Sequence, residues 1–257
     1  MSANEDHNGP PPTRAERASS FARVADEYER GRPGYPHEAI QWLLGGDSLE
    51  VLDLGAGTGK LSGALLGAGH RVIAVEPLQE MRAILTARLP QVRVLEGTAE
   101  QLPLADASVD AVAVGAAFHW FDQSIALAEI ARVLRAPGVL GLLGNAFDTT
   151  TSWVARVREI LGPPAIERRG HWPSAETLSE RFAETEEREF PHQQEIDPAS
   201  LRDLARSRSS LAIMPERERE TVLARLDLLW EQEPELGGRE RTLLPWRTRV
   251  RRSRCLR

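Results

Sequence analysis

The sequence predicts an α/β fold built on a mostly parallel sheet with helices on both faces, and three observations predict it. Five short β-rich apolar runs recur at Glu50–Leu54, Arg71–Val75, Val92–Leu95, Val109–Val114 and Val139–Leu143. Helix-like stretches at Lys60–Leu66, Met81–Leu89 and Ile125–Leu134 lie between most of them, and this alternation is what parallel strands joined by crossover helices produce. The runs are almost continuously apolar, as strands covered on both faces must be.

The remaining elements follow in chain order. Residues 1–18 are polar and proline-rich with little to bury, so they read as a disordered leader, and residues 19–257 as a single domain. A short helix is expected over Ser19–Glu29. Gly31-Arg32-Pro33-Gly34-Tyr35-Pro36 breaks it, and Pro36 opens a second helix that runs through Leu44 to the stop at Gly45-Gly46. After Asn145 the alternation fades. Ser152–Leu161 looks helical and is closed by Gly162-Pro163, and Ala175–Phe182 is a further short helix. Glu186–Ile196 alternates loosely, as a strand would. Leu201–Leu211 and Pro215–Trp230 carry apolar stripes at helical spacing. Thr242–Arg251 reads as a last strand, with Arg247, Arg249 and Arg251 on one face and Thr248 and Val250 on the other. Alternate arginines suggest a solvent-facing edge strand followed by a frayed tail. No internal repeat is visible.

Composition removes several classes of function. Among 257 residues with a net charge of −6, Lys60 is the only lysine, which nearly excludes mechanisms that need a lysine Schiff base. The 19 residues from Arg239 onward hold eight arginines and one glutamate, a charge of +7, so the preceding 238 carry −13. An acidic body of that kind lacks the basic footprint that nucleic acid requires. No apolar run approaches the roughly 20 residues of a membrane span, and the polar start lacks a signal peptide's apolar stretch. The single cysteine, Cys255, excludes an internal disulfide framework and fits a reducing cytoplasm. No histidine pair has zinc-ligand spacing, so no metal is expected.

The sharpest feature is Glu50-Val51-Leu52-Asp53-Leu54-Gly55-Ala56-Gly57-Thr58-Gly59-Lys60-Leu61. A strand runs into a loop with glycine at every second position and then into a helix, which lets a ligand lie against main-chain amides. A P-loop is excluded, because Leu61 follows Gly59-Lys60 where Ser or Thr is required. A dinucleotide loop wants a third glycine where Lys60 stands. Leu52 to Gly59 instead resembles the cofactor loop of class I S-adenosylmethionine (SAM) dependent methyltransferases.

The resemblance implies a Rossmann-like, seven-stranded, mostly parallel sheet with helices on both faces and a helical lid. It divides the chain into N-terminal lid helices (19–46), a SAM-binding core (47–145), a helical extension shaping the acceptor site (146–241), and a final strand and tail (242–257). In that family Gly55, Ala56, Gly57 and Gly59 would cradle the cofactor, with Asp53 serving its ammonium. Glu76, 21 residues after Gly55 at the end of the second strand, would accept the ribose hydroxyls. Leu78 or Met81, just after this acid, would pack on the adenine, with Pro77 also in the cofactor site, and Ala99 and Glu100 would meet its edge. Gly115 to Ala117 would face the methionyl part and the transferring methyl. Tyr28 and Arg32 would close over the cofactor, Arg32 by pairing with its carboxylate.

A narrower resemblance rests on Phe21-Ala22-Arg23-Val24-Ala25-Asp26-Glu27-Tyr28-Glu29-Arg30-Gly31-Arg32-Pro33-Gly34-Tyr35-Pro36 and on Ala117-Phe118-His119-Trp120-Phe121-Asp122. These segments are similar to the small-molecule branch that includes trans-aconitate and cantharidin methyltransferases. It implies methyl transfer to a small molecule, preferably to a carboxylate or hydroxyl oxygen. His119 is then the candidate base or orienting group, and Phe118, Trp120 and Phe121 are candidate pocket walls. Trp153 and Trp172 could add aromatic surface, and Arg206 and Arg208 could recognise a carboxylate. The alternatives are a SAM-binding regulator without transferase activity and a nicotinamide-dependent oxidoreductase. A monomer or weak homodimer is expected, with neither nucleic acid nor membrane as partner.

Overall fold

The computed structural model describes residues 24–163 and 172–256. The expected leader over 1–18 lies outside the described residues, as does the start of the helix expected from Ser19. Helix α1 spans Ala25–Gly31 and α2 spans His37–Leu44. Then β1 (Glu50–Leu54), α3 (Lys60–Gly67), β2 (Arg71–Val75), α4 (Gln79–Arg88), β3 (Arg93–Leu95) and β4 (Val109–Gly115) alternate. Helix α5 (Gln123–Val133) leads into β5 (Leu134–Phe147). The chain continues through α6 (Ser152–Leu161), α7 (Ala175–Ser179), β6 (Phe182–Ile196), α8 (Pro198–Arg206), α9 (Ser209–Ala212), α10 (Glu216–Gln232) and β7 (Thr242–Cys255).

All seven strands join one sheet in the order β3-β2-β1-β4-β5-β7-β6. The first five run parallel, and β7 enters antiparallel to β5 with β6 antiparallel beyond it. Chain order reverses between β1 and β4, so the ligand-binding edge of such a sheet falls at the carboxyl ends of those two strands.

Successive strand residues point to opposite faces, and the core divides accordingly. Leu52, Leu54, Val112, Val114, Leu140 and Leu142 face α5 through Ala126, Leu127 and Ile130. Val51, Ala111, Ala113, Leu143 and Val250 face α2 and α3 through Ile40, Leu43, Leu61 and Leu65. A third cluster packs Trp153, Val154 and Val157 of α6, Leu201 and Leu204 of α8, and Leu223 and Leu226 of α10 against Leu244 and Trp246 of β7. Each such fully buried aliphatic side chain stabilises by about 1.5–3 kcal/mol relative to exposure.

Three expectations change. The helix expected over Ala175–Phe182 stops at Ser179, and the strand expected from Glu186 already begins at Phe182. The helix expected over Leu201–Leu211 is two, because Ser207 and Arg208 are used in tertiary hydrogen bonds that interrupt it. The arginine-rich strand is not an edge. It lies between β5 and β6 and extends to Cys255 without fraying. Its arginines are matched across the pair: Arg249 and Arg251 both bond Glu187, Arg252 bonds Glu186, and Arg254 pairs with Glu184. The edge on this side of the sheet, β6, presents Glu, Thr, Arg and Pro191, which discourages strand addition. No helix among the described residues is long and apolar enough to cross a membrane.

Candidate functional site

Strand β1 delivers Asp53 and then a loop in which Gly55, Gly57 and Gly59 all have positive φ, at +70°, +56° and +86°. Two of these positions also lack room for a side chain. A Cβ on Gly55 would lie 2.7 Å from the Cβ of Ala117 and 3.3 Å from Cζ of Phe121, and one on Gly59 would lie 2.9 Å from Leu85. The loop is anchored to β2, where Val75 O accepts from the Gly55 and Ala56 amides at 2.9 and 3.2 Å. Its glycines therefore let the loop pack tightly between β2, α4 and the segment after β4.

Two buried carboxylates flank this loop. Asp53 is wholly buried; its Oδ2 accepts from the Ser62 hydroxyl at 2.6 Å, and its Oδ1 has no hydrogen-bond partner among the described residues. Burial pushes its pKa from 3.8 up to about 7, against the lowering effect of Ser62. Glu76, 6% exposed, accepts from the Gly57 amide at 2.9 Å and the Leu78 amide at 3.0 Å, so it fixes both loops. Burial raises its pKa as well, and those two amides and Arg82 pull the other way. An orphaned buried acceptor beside main-chain turns fits a ligand that brings a cationic donor.

The other expected contacts sort themselves by position. Ala99 is buried, while the Glu100 carboxylate accepts from the Asp122 amide at 2.9 Å and so ties the β3 loop to the start of α5. Pro77 lies on the same turn as Glu76, its carbonyl held by Arg82 at 2.7 Å. Met81 is 3% exposed, within α4. Gly115 ends β4, and Ala116 beyond it has φ +54°, a conformation that costs a non-glycine residue of order 1 kcal/mol and marks the turn into the site. His119 is half-buried in the short 3-10 turn Phe118–Trp120, its ring centroid 4.5 Å from that of Trp120.

Tyr28 comes to the loop, and Arg32 lies against Tyr28. Tyr28 is the nearest side chain to a Cβ on Gly57, at 4.0 Å, and the Arg32 guanidinium lies 5.2 Å from its ring centroid. Burial, Glu76 and Asp53 raise the Tyr28 pKa, and Arg32 opposes them. Arg32, however, directs Nε and one terminal nitrogen to Ser207, at 2.8 Å to Oγ and 2.9 Å to the carbonyl, so in this structure it ties the N-terminal segment to the end of α8.

Five expected acceptor-site residues are placed elsewhere. Phe118 is 1% exposed and packs within the α5-side core, edge-on to Phe121 at 5.6 Å. Trp153, 3% exposed, belongs to the core of the extension. Arg208 is buried, donating to the carbonyls of Gly162 and Pro163 at 2.8 and 2.9 Å, and Arg206 pairs with Glu220. Trp172 is packed by Arg249 and Arg251, each 5.1 Å from its ring centroid. The sequence reading missed Ser62, which bonds Asp53; Tyr35, which covers Gly115; and Asn145 and Gln194, which hold the N-terminal segment. Of these only Tyr35 had a signal, since it lies in the rigid Arg32-Pro33-Gly34-Tyr35-Pro36 segment.

Comparison with known proteins shows the family. Residues 52–142 match the family described as "Methyltransferase domain". Over 236 residues the chain is 42% identical to an uncharacterized methyltransferase of Mycobacterium tuberculosis, covering 92% of this chain and 96% of that one. An uncharacterized methyltransferase-like protein of Schizosaccharomyces pombe is 34% identical over 241 residues, covering 89% and 93%. Among solved structures, a candidate type II methyltransferase from Anaeromyxobacter dehalogenans superposes with a TM-score of 0.63 at 26% identity, covering 87% of this chain and 97% of that one.

Proposed function

The chain belongs to the class I SAM-dependent methyltransferases, and from that premise we propose that it methylates an oxygen, a carboxylate or hydroxyl, of a small molecule. The observation that carries the small-molecule reading is the bonding of the N-terminal segment across the carboxyl edge of the sheet. Arg32 reaches Ser207, Asn145 Nδ2 donates to Gly34 O at 3.0 Å, and Gln194 Nε2 donates to Gly31 O at 3.0 Å. A site strapped over in this way suits an enclosed acceptor better than a polymer, and the net charge of −6 argues against nucleic acid. The likeness to the trans-aconitate and cantharidin branch points the same way.

The residues present fit the cofactor. Asp53 Oδ1 would take its ammonium, the Gly55–Gly59 backbone would cradle the methionyl end, and Glu76 would hold the ribose. When bound, SAM supplies an electrophilic sulfonium methyl. What remains for the chain is to orient an acceptor and exclude water. His119, on the turn after β4, would orient the acceptor. For a hydroxyl it would take the proton released as the new C–O bond forms and the S–C bond breaks, whereas a carboxylate needs no base. We further propose that the enzyme works as a monomer or weak homodimer in the cytoplasm.

Calorimetric titration with SAM and S-adenosylhomocysteine, on the native chain and on Asp53→Ala and Glu76→Ala, tests the cofactor site: both ligands should bind the native chain and bind each variant at least tenfold more weakly. A mass-spectrometric search for a methyl gain across small carboxylic acids and alcohols tests the acceptor. Cofactor binding with no methylated product in such a panel would point instead to a SAM-binding regulator.

A further inference from the structure

Arg82 stands where a cation gains least from its own helix. It lies in the first turn of α4, at the positive end of the helix dipole, and its side chain turns back onto the loop before that helix. Nη1 donates to the carbonyl of Glu76 at 2.9 Å and to that of Pro77 at 2.7 Å, while Nη2 donates to the Glu96 carboxylate at 2.7 Å. One guanidinium thus holds the carboxyl ends of β2 and β3 together, next to the point where the Glu76 amide donates to Leu95 O at 3.2 Å. The Arg82 side chain is 17% exposed and that of Glu96 is 75% exposed. Their ion pair is therefore a surface one and offsets little of the arginine's charge.

Glu76 is the acid that this turn presents. Its two carboxylate oxygens already accept the Gly57 and Leu78 amides, so a ribose diol would use the lone pairs that remain. A protonated carboxyl gives up one of those acceptor positions. Tyr28 from α1, Asp53 from β1 and Arg82 from α4 face Glu76, and Arg82 brings the positive charge. Burial pushes the carboxyl towards its neutral form, and Arg82 pulls it back.

We propose that Arg82 is a positioning residue for the cofactor's ribose: it fixes the turn that carries Glu76 and supplies the positive charge that keeps the carboxylate an acceptor. The inference rests on the methyltransferase reading and on Glu76 taking the ribose. Arg82 needs no contact of its own with the cofactor, because it acts through Glu76. Its loss should therefore be felt by the adenosine half of the ligand and should depend on pH.

5′-Methylthioadenosine is the probe, since it carries the adenosine half without the ammonium that Asp53 would take. Calorimetry from pH 5 to pH 8 compares the native chain with Arg82→Gln and Arg82→Lys, and thermal unfolding checks that each variant folds. Arg82→Gln leaves Glu76 protonated to a higher pH. It should bind the probe about tenfold more weakly at pH 5 and recover most of that loss by pH 8. Arg82→Lys restores the charge and should return the native pH profile. In a Glu76→Gln background, Arg82→Gln should cost little further. A loss in Arg82→Gln that is equal at every pH, or that adds in full to the loss from Glu76→Gln, would make Arg82 a staple of the turn alone and overturn the proposal. No loss at all would overturn it too, and so would a native chain that binds S-adenosylhomocysteine without binding the probe. Failure of the native chain to bind either ligand would instead overturn the cofactor reading beneath it. Should Arg82→Gln not fold, Arg82→Met, which keeps the apolar stem, takes its place in the same pH series.

Discussion

Asp53 is a buried acid whose folded pKa of about 7 stands above the ordinary 3.8, so the folded protein keeps a proton that the unfolded chain has already lost. Its contribution to stability is full below pH 4 and fades as pH rises through 7. Cofactor binding should have the opposite slope, since an ammonium prefers the ionised form. Affinity for SAM should rise about tenfold between pH 6 and pH 8, with proton release seen as a buffer-dependent heat, and Asp53→Asn should flatten both. Gly55→Ala combines a positive φ with a contact 2.7 Å from Ala117. It should cost about 2 kcal/mol or more in denaturant unfolding. Asp53, the glycines and Glu76 were legible because they are neighbours along one strand–loop–helix unit and its successor. Tyr35 and Asn145 were not, because the contact that gives them meaning joins positions 111 residues apart at Gly34 and Asn145. Phe118 and Trp153 misled for a related reason: an aromatic side chain fits a core as well as a pocket, and only burial separates the two.

At the level of elements, β1 and β2 were readable to the residue, since strands sandwiched between helices carry an unbroken apolar signature. Strands β6 and β7 hid theirs. Their charges pair across the ladder on an exposed face, so no unbroken apolar run marks them and only part of each strand was read. Helices α1 and α8 lie so close that a Cβ on Gly31 would fall 2.2 Å from the Leu204 amide nitrogen. Gly31→Ala should therefore pry α1 from α8, visible as faster proteolysis between Arg30 and Pro36, together with a several-fold loss of SAM affinity. Helix α8 begins with a reciprocal cap between Asp197 and Ser200 and with Pro198 in its first turn. Asp197→Ala should cost about 1 kcal/mol in chemical unfolding, with cofactor affinity reduced less than in Gly31→Ala.

For the whole molecule the decisive fact is that β7 lies inside the sheet. A chain ending at residue 241 should lose both β5's antiparallel neighbour and the only partner of β6, and far-UV circular dichroism and thermal unfolding should report a collapsed, non-cooperative product rather than a slightly weakened enzyme. The same arrangement has a consequence in time. Strand β6 is made before the strand it pairs with, and about 59 residues separate Ile196 from Cys255. At roughly 5–20 residues per second of synthesis, β6 waits some 3–12 seconds on the ribosome with its backbone unpaired. Its glutamates, idle in sheet pairing until the arginines arrive, keep that waiting strand hydrated, so the charge ladder that closes the finished sheet also guards the nascent one.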